Sequence, residues 1–215
     1  MTDRSFINRH LAGMAPKIVN REEKQRQILG AAMSVFARYG YQRASIEQIA
    51  EAAGIAKGSL YQYFKNKEEL FFMLFEFSAE QAMQAVIELE QNNDRHAVLI
   101  VEDILLAIAL SWEEDENLIP LTLEFWSVCG VEQTRQRFTE RFQVMYQEMR
   151  KHIVGILKHG RAKGEVHADA PLTDVTSCLL GLLDGLLVQQ WVDPKIKMSR
   201  VLKKALPVLM RALRG

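Results

Sequence analysis

Apolar residues recur at helical spacing along most of the chain. Ile46, Ile49, Ala50 and Ala53 follow one another at i, i+3, i+4 and i+7, which is the stripe of one buried helix face. No segment shows the alternation of apolar and polar residues that is typical of a β-strand. The pattern therefore predicts an all-α protein. Its helices are expected at about residues 22–39, 46–53, 56–64, 66–91, 95–112, 121–129, 133–159, 172–192 and 195–213.

Two of these helices are short and meet at a glycine. Ser45 is a natural N-cap, and Gln48 three residues later completes a capping box. Gly54 supplies the positive φ that ends a helix at little cost. The next helix buries Leu60 and Phe64, and the arrangement is that of a helix-turn-helix, whose second helix enters the major groove of DNA. Its outer face carries the polar residues Lys57, Ser59, Tyr61, Gln62 and Tyr63.

Charge is unevenly distributed, although the chain of 215 residues is formally neutral. Residues 1–70 carry 11 Lys and Arg against 7 Asp and Glu, whereas residues 71–215 carry 16 against 20. The basic end therefore contains the helix-turn-helix, as binding to DNA phosphates requires.

The cysteine content and the apolar runs indicate the cellular compartment. Two cysteines, Cys129 and Cys178, make no disulfide framework and favour a reducing environment. The N-terminus lacks the apolar core of a signal peptide. The longest apolar run, around residues 178–188, is interrupted and too short to span a bilayer. We therefore expect a soluble cytoplasmic protein without a membrane partner.

Four segments within residues 22–76 form a specific combination. They are Phe36-Ala37-Arg38-Tyr39-Gly40-Tyr41, Ser45-Ile46 with Ile49-Ala50, Ala53-Gly54-Ile55-Ala56-Lys57-Gly58-Ser59-Leu60-Tyr61-Gln62-Tyr63-Phe64, and Asn66-Lys67-Glu68-Glu69-Leu70. This combination resembles the TetR family of transcriptional regulators. The resemblance implies about nine helices, a homodimer, an N-terminal domain that binds a DNA operator and a small-molecule pocket in the C-terminal domain. We expect a flexible arm over residues 1–20, a helix-turn-helix DNA-binding domain over 21–66, and a ligand-binding and dimerisation domain over 67–215.

The resemblance also implies which residues contact DNA. Lys57, Gly58, Ser59 and Tyr61 fall on recognition-helix positions that touch DNA, while Ser45, Tyr63 and Lys67 fall on positions that grip phosphate. The chemistry of these residues agrees with those roles. A glycine lets the backbone approach the groove closely, a lysine can reach guanine or phosphate, and hydroxyl groups donate to phosphate oxygens. Arg43 and Gln62 are further candidates, for which contact with DNA and plain solvation remain open.

Aromatic and methionine residues cluster on the fifth, sixth and seventh predicted helices. Such stripes usually form core, but they also line apolar pockets between the helices of a bundle. For the pocket alternative, the expected ligand-binding residues are Trp112, Phe125, Trp126, Phe142, Tyr146, Met149 and Asp184.

Four polar residues on apolar stretches are candidates for orienting a ligand. Asp184 is the most notable, because a carboxylate among leucines is costly unless it is paired. It could bind a cation or hydroxyl of a ligand, pair with Arg or Lys across a subunit interface, or lie at the pocket rim. The four candidates are His152, Thr176, Asp184 and Gln189.

The last two predicted helices carry apolar residues on broad faces. The eighth is apolar almost all round and must be covered on both sides, which favours a four-helix interface between two subunits. A two-fold dimer spaces its recognition helices one DNA turn apart and predicts a pseudo-palindromic operator. Pro207 is expected to kink the ninth helix. The expected interface residues are Leu179, Leu183, Leu186, Leu187, Trp191, Leu202, Leu206 and Leu209.

The chain lacks the common signatures of enzymes and of cofactor sites. It has no glycine-rich phosphate loop, no cysteine pair at zinc spacing and no nucleophile beside a base. We take His152, His159, His167 and Cys178 as scattered residues rather than a metal site, and the acidic run Glu113–Glu116 as a solvated loop. No catalytic residue, metal or cofactor is expected.

The sequence therefore favours a homodimeric transcriptional repressor, which a small apolar or aromatic effector releases from its operator. Effector binding would push on the helix that starts at Lys67 and favour the form that does not bind DNA. The alternative is a DNA-bound scaffold that recruits a protein partner without an effector. An all-α enzyme that uses the aromatic cluster is the third and least supported reading.

Overall fold

Nine α-helices and one 3₁₀ turn make up residues 15–91, 95–128 and 132–215, the parts of the chain that the computed structural model describes. This confirms the predicted all-α fold. The only extended pairing within those ranges is an isolated antiparallel bridge between Val166 and Arg214. The helices are α1 Ala15–Arg43, α2 Ile46–Ala52, α3 Lys57–Leu60, α4 Lys67–Gln91, α5 Ala97–Glu114, α6 Leu118–Val128, α7 Glu132–Ala162, α8 Leu172–Val192 and α9 Met198–Leu209, followed by the 3₁₀ turn Met210–Leu213.

The chain divides into two compact units between Leu74 and Phe75. Helix α4 begins in the first unit and continues through this division, so one helix belongs to both units. The predicted domain boundary at residue 66 corresponds to the residue before α4, about two turns earlier than the division.

Most predicted helices agree with the structure except at their ends. The bounds of α8 are those expected, and the predicted break before residue 95 lies partly outside the described residues. Helix α3 is shorter than expected, and turns continue the chain to residue 63. Pro120 lies in the first turn of α6 rather than in a loop before it, where a missing N–H is tolerated.

Helix α1 differs most from its prediction. It begins at Ala15, so residues 15–20 belong to a helix rather than to the predicted arm, and residues 1–14 lie outside the described part. Gly40 does not terminate it. The backbone there has φ 74° and ψ 160°, a kink that glycine adopts readily, and helical turns resume up to Arg43.

Aromatic side chains hold the core of the first unit together. Phe36 of α1 packs edge-on against Phe71 of α4, with ring centroids 4.7 Å apart, and Tyr41 lies 4.7 Å from Phe71. Leu60 and Phe64 are fully buried beside them, as the sequence pattern predicted. Short helices α2 and α3 are therefore fixed by a core to which α1 and α4 supply the large side chains.

Leucine and isoleucine side chains dominate the core of the second unit, in which α5, α8 and α9 are central. Two polar residues cap α9 across this unit. Gln190 accepts a bond from the Met198 amide at 2.9 Å, and Glu113 accepts bonds from the amide and the hydroxyl of Ser199. Glu113 therefore has a structural partner, contrary to the expectation of a solvated acidic loop.

Pro207 lies within the last turn of α9, which ends two residues later and tightens into the 3₁₀ turn. A single helix over residues 195–213 was therefore a wrong prediction, because the element starts at Met198 and changes its winding at Met210. Proline near a helix end removes only one ladder bond, which explains why α9 continues past it.

Helices α4 and α8 are long and apolar enough, by length and composition alone, to cross a membrane. This test is also passed by core helices of soluble bundles. The leucines of α8 at positions 179, 180, 183, 186 and 187 are all buried within the second unit, which explains the composition of this helix without a bilayer.

Gly54 is predicted to be required for its backbone conformation. Its φ of 64° is left-handed, and an added Cβ would meet no atom within 4 Å, so conformation alone disfavours other residues. We expect Gly54→Ala to lower the free energy of unfolding by about 1–2 kcal/mol. The matched control is Gly30→Ala in α1, which also has open space and should raise stability by about 0.5–1 kcal/mol. Thermal unfolding of both variants checks this, and equal effects would contradict it.

Candidate nucleic-acid interface and ligand cavity

The helix-turn-helix is built by α2 and α3. The predicted capping box is present, because the Gln48 amide donates to Ser45 Oγ at 3.2 Å and the Ser45 amide donates to Gln48 Oε1 at 2.8 Å. At the other end of α2, Gln27 of α1 donates to the Ala53 carbonyl at 2.9 Å. Both ends of α2 are thus fixed before the turn at Gly54 directs the chain into α3.

Helix α3 presents the expected polar face outside its core contacts. Lys57, Gly58, Tyr61 and Gln62 are exposed, and Ser59 and Tyr63 are half-buried. Tyr61 has 47% of its surface exposed. Such exposure is unusual for a large aromatic side chain. An added Cβ at Gly58 would meet nothing within 4 Å, so the chain itself does not demand glycine there. Helix α3 therefore exposes a short polar face, as a helix that enters a DNA groove would.

Lys57 forms an ion pair with Glu47 of α2 across the turn. Both side chains are more than half exposed, so the pair contributes little to stability. The hydrogen bond from Lys57 holds the pKa of the Glu47 carboxyl below its usual range and raises the pKa of Lys57. An acidic partner on this face was not predicted, and it partly neutralises the cation expected to reach DNA.

Lys67 has a structural role that the sequence reasoning missed. Its Nζ donates to the carbonyl oxygens of Tyr41, Gln42 and Ala44 at 2.8, 3.1 and 3.0 Å, and it lies 4.8 Å from the centre of the Tyr41 ring. An ammonium has three N–H donors, and all three are engaged here. The expected phosphate contact of Lys67 therefore finds no free donor in this structure. Burial lowers the pKa of Lys67.

Two further candidates for DNA contact lie near the start of α2. Ser45 Oγ accepts the capping bond from the Gln48 amide, and the Ser45 hydroxyl also hydrogen-bonds the Glu47 carboxyl. Arg43 is exposed, with its Nε bonded to the Tyr39 carbonyl at 3.1 Å. Arg21, which the sequence reasoning did not single out, places its guanidinium 6.0 Å from the centre of the Tyr63 ring. This basic side chain lies beside Tyr63, and the sequence reasoning did not consider it as a candidate for DNA contact.

The second unit contains an apolar cavity between five of its helices. Its volume is about 90 Å³, and the figure rises to about 670 Å³ when the adjoining open solvent is included. All seven residues predicted to bind a ligand line this single cavity. Helix α4 contributes a wall that the sequence reasoning missed, because its small residues gave no aromatic signal. The lining residues are Phe75, Ser78, Ala79, Ala82, Ile108, Trp112, Thr122, Phe125, Trp126, Phe142, Met145, Tyr146, Met149, Leu180, Leu183 and Asp184.

One polar pair stands in the wall of this cavity. The Tyr146 hydroxyl of α7 donates to Asp184 Oδ2 of α8 at 2.8 Å. Burial raises the pKa of the Asp184 carboxyl, and the bond from Tyr146 opposes that effect without cancelling it. Burial and the neighbouring carboxylate raise the pKa of Tyr146 well above its usual range. Asp184 therefore belongs to the cavity wall and has an intrachain partner, rather than an Arg or Lys.

The other polar candidates do not line the cavity. His152 Nδ1 lies 2.9 Å from Glu90 Oε2 and ties α7 to α4. Thr176 is fully buried, and its hydroxyl donates to the Leu172 carbonyl at 2.7 Å within α8. Gln189 is exposed. These three expectations were wrong, because the helical face of a residue does not reveal which neighbour covers it.

A shallow groove adjoins the cavity along α7. Trp126, Phe142 and Tyr146 line both spaces, so the groove and the cavity adjoin. Arg150 lines the groove but not the cavity, and its Nε donates to Ser177 Oγ at 3.0 Å. The groove therefore includes a cation, whereas the polar lining residues of the cavity are Ser78, Thr122, Tyr146 and Asp184.

The predicted dimer residues divide into two sets. Six leucines are buried inside the second unit and are covered by its own chain, which corrects the expectation that they face a partner; they are Leu179, Leu183, Leu186, Leu187, Leu202 and Leu206. Trp191 and Leu209 are 53% and 54% exposed in the single chain, as expected for residues that a partner subunit would cover. Val188, Val192 and Val208 are also exposed on the same two helices and were missed.

No group of three or more His, Cys, Asp or Glu side chains gathers within the described ranges in a way that could hold a metal ion. Cys178 is exposed and has a free thiol, and Cys129 lies outside those ranges. His167 accepts a bond from the Asp169 amide, a local turn contact.

Two family profiles match the chain. The profile described as "Bacterial regulatory proteins, tetR family" matches residues 28–74, which contain the helix-turn-helix. The profile described as "BetI-type transcriptional repressor, C-terminal" matches residues 101–210, which contain most of the cavity lining.

Curated relatives and solved structures are similar to most of the chain. The fatty acid metabolism regulator protein of Bacillus subtilis (strain 168) is 26% identical over 198 residues, or 90% of this chain and 97% of the relative. The repressor Rv1474c of Mycobacterium tuberculosis is 28% identical over 167 residues, or 77% and 81%. FadR from Bacillus subtilis, solved in complex with stearoyl-CoA, has a TM-score of 0.74 at 24% identity and covers 88% of this chain and 99% of that chain. The last likeness shows the fold.

Lys57 and Lys67 are predicted to affect DNA binding in different ways. Each lost phosphate contact lowers the slope of log K against log salt by about 0.9, whereas a lost structural bond leaves that slope unchanged. We expect Lys57→Gln to reduce the slope. We expect Lys67→Met to leave the slope unchanged, lower the free energy of unfolding by about 1–3 kcal/mol, and weaken DNA binding at every salt concentration.

The measurement is fluorescence anisotropy with labelled duplex DNA from 50 to 300 mM salt, together with thermal unfolding. A reduced slope for Lys67→Met, with unchanged stability, would show that Lys67 binds phosphate and that its carbonyl bonds are dispensable.

Proposed function

The chain belongs to the TetR family of bacterial transcriptional regulators, and from that premise we propose that it is a homodimeric repressor which an apolar or aromatic effector releases from a pseudo-palindromic operator. It acts in the cytoplasm, where its DNA is. The proposal assigns it no catalytic step. The observation that carries the proposal is the unfilled apolar cavity in the second unit.

The cavity supports an effector because its volume of about 90 Å³ exceeds the water-sized voids of normally packed interiors. Its lining is mostly aromatic and apolar with a few polar groups, which is the composition of small-molecule sites. A DNA-bound scaffold without an effector would need no such space, so the cavity favours the effector-responsive alternative. FadR of Bacillus subtilis, solved in complex with stearoyl-CoA, is one example of a protein of this fold that binds a ligand with a long apolar chain.

Helix α4 supports a direct link between the effector and DNA binding. Its residues from Lys67 to Leu74 belong to the first unit, and Phe75, Ser78, Ala79 and Ala82 line the cavity. A ligand that fits the cavity better when α4 has moved favours the form with displaced helix-turn-helix units. The ligand needs only to bind that form more tightly than the DNA-binding form.

The exposed ends of α8 and α9 support a homodimer. Exposed apolar groups of this size are rare on soluble monomers unless they meet a partner. A second copy is the partner that a two-fold DNA reader requires, since two recognition helices one turn apart match two half-sites. We propose that Val188, Trp191, Val192, Val208 and Leu209 lie at this interface.

The direct test begins with selection of bound duplexes from a random DNA pool, followed by a thermal-shift screen of small molecules. We expect an inverted-repeat site and at least one apolar compound that both stabilises the protein and lowers its operator affinity. Compounds that bind the cavity without any effect on operator binding would contradict the proposal.

Filling the cavity is predicted to remove the response without removing DNA binding. Ala82 lines the cavity from α4, and Ala82→Phe occupies part of its space. We expect operator affinity within about threefold of wild type, and a loss of effector-induced release of tenfold or more, since overpacking costs about 1–3 kcal/mol. Operator anisotropy with and without the screened effector measures both, and retained release would contradict the assignment of the cavity.

The dimer interface has a matched pair of substitutions. Trp191→Glu places a charge on the exposed end of α8, whereas Val144→Glu places one on an exposed valine of α7, a helix outside the proposed interface. We expect the first variant to be monomeric and the second dimeric, because an unpaired charge at an apolar interface is costly. Light scattering after size-exclusion chromatography measures the mass. A dimeric Trp191→Glu would place the interface elsewhere.

A further inference from the structure

Of the described residues that line the cavity, Asp184 is the only acidic one and none is basic. The Tyr146 hydroxyl engages one carboxylate oxygen, Oδ2. The other oxygen has no protein hydrogen bond, and Asp184 forms no ion pair within the described ranges. A carboxylate offers about four lone-pair sites, so most of the accepting capacity of Asp184 is unused.

An acid in this setting is costly to the folded protein. Burial disfavours its ionised form and raises its pKa, and the single bond from Tyr146 compensates only in part. Two other acids of this unit are paired within the chain: Glu76 with Arg141, and Glu90 with His152. Half-buried Glu113 and Glu165 have no ion pair within the described ranges, but they bind backbone amides and do not line the cavity. Asp184 lines the cavity, and the described residues supply no counter-charge for it.

The surroundings of Asp184 favour a positive charge. Phe75 packs against Phe125 and Phe142 with ring centroids 4.9 and 4.6 Å apart, and Trp112 and Trp126 complete an aromatic wall. Aromatic faces attract cations, most strongly when water is excluded. A ligand carboxylate would instead meet the like charge of Asp184.

We propose that the effector is an apolar amine, whose ammonium group binds Asp184 while its hydrocarbon or aromatic body fills the cavity. This inference rests on the proposed function, in which the cavity is the effector site. The ammonium donates to the unused carboxylate oxygen, and Tyr146 keeps its bond to the other. The adjoining groove is lined by the cation Arg150, which disfavours an ammonium there and favours its position at Asp184.

The test compares three probes with one apolar body: 4-phenylbutylamine, 4-phenylbutan-1-ol and 4-phenylbutanoate. Isothermal titration calorimetry with the full-length protein measures their affinities at pH 7.5. We expect the affinity of the amine to exceed that of the alcohol by about tenfold or more. The reason is that hydrogen bonds between charged groups are stronger than those that involve a neutral donor. The carboxylate should bind most weakly.

Asp184→Asn is the informative variant, because it keeps the side-chain shape and an acceptor for Tyr146 but removes the charge. We expect the amine to lose its advantage and bind within about twofold of the alcohol, whose affinity should not change. Tyr146→Phe is the matched control, since it removes the other half of the pair and leaves the carboxylate. It should retain the preference for the amine.

The same samples distinguish this inference from the proposed function. Stearoyl-CoA, the ligand of the structurally similar FadR, is added as a fourth probe, and operator release is followed by anisotropy. Equal binding of all probes, a preference that survives in Asp184→Asn, or no binding of the amine would each overturn the inference. Release of the operator by stearoyl-CoA in those cases would leave the proposed function standing.

Discussion

Helix α4 has to bury apolar side chains along most of its length, and the rest of the structure depends on this constraint. Leu70 and Phe71 are fully buried in the first unit, and Phe75 and Val86 are buried in the second. Burial of each such side chain contributes about 1.5–3 kcal/mol to the free energy of folding. Separation of α4 from either core would therefore be energetically costly. The cavity residues of α4 lie about two to four turns along the same backbone from Lys67. The proposed effector response uses this shared helix.

Polar side chains in this protein mostly serve the backbone rather than function. Lys67 binds three carbonyl oxygens next to the start of α2, and Glu113 and Gln190 cap α9. These bonds satisfy backbone groups at helix ends, which would otherwise be costly to bury. Asp184 differs, because its surroundings are apolar and its partner is one hydroxyl group. This contrast is what supports the proposal that Asp184 binds a ligand.

The sequence predicted features that depend on local residue patterns. It did not predict contacts with residues that are distant along the chain. The capping box of Ser45 and the bounds of α8 follow from local spacing, and the structure confirms both. Periodicity also showed that α8 is buried on several faces, but not that its own subunit covers the leucines. Likewise, the position of Lys67 in the family pattern could not reveal carbonyl oxygens more than twenty residues away. Clustering of aromatic and methionine residues found six of the seven cavity positions, because neighbouring helices of a bundle share their apolar faces. The seventh, Asp184, was found as a carboxylate among leucines.

The central claim is that a ligand in the cavity weakens binding to the operator, and that operator binding weakens binding of the ligand. Thermodynamic linkage makes such coupling reciprocal, so it can be measured from the ligand side. The decisive measurement is calorimetric titration of a cavity-binding compound into the free protein and into the protein saturated with operator. Our account predicts weaker binding to the complex, by the same factor by which the compound weakens operator binding, of order 5–150-fold. Equal affinities for the free and the operator-bound protein would contradict it.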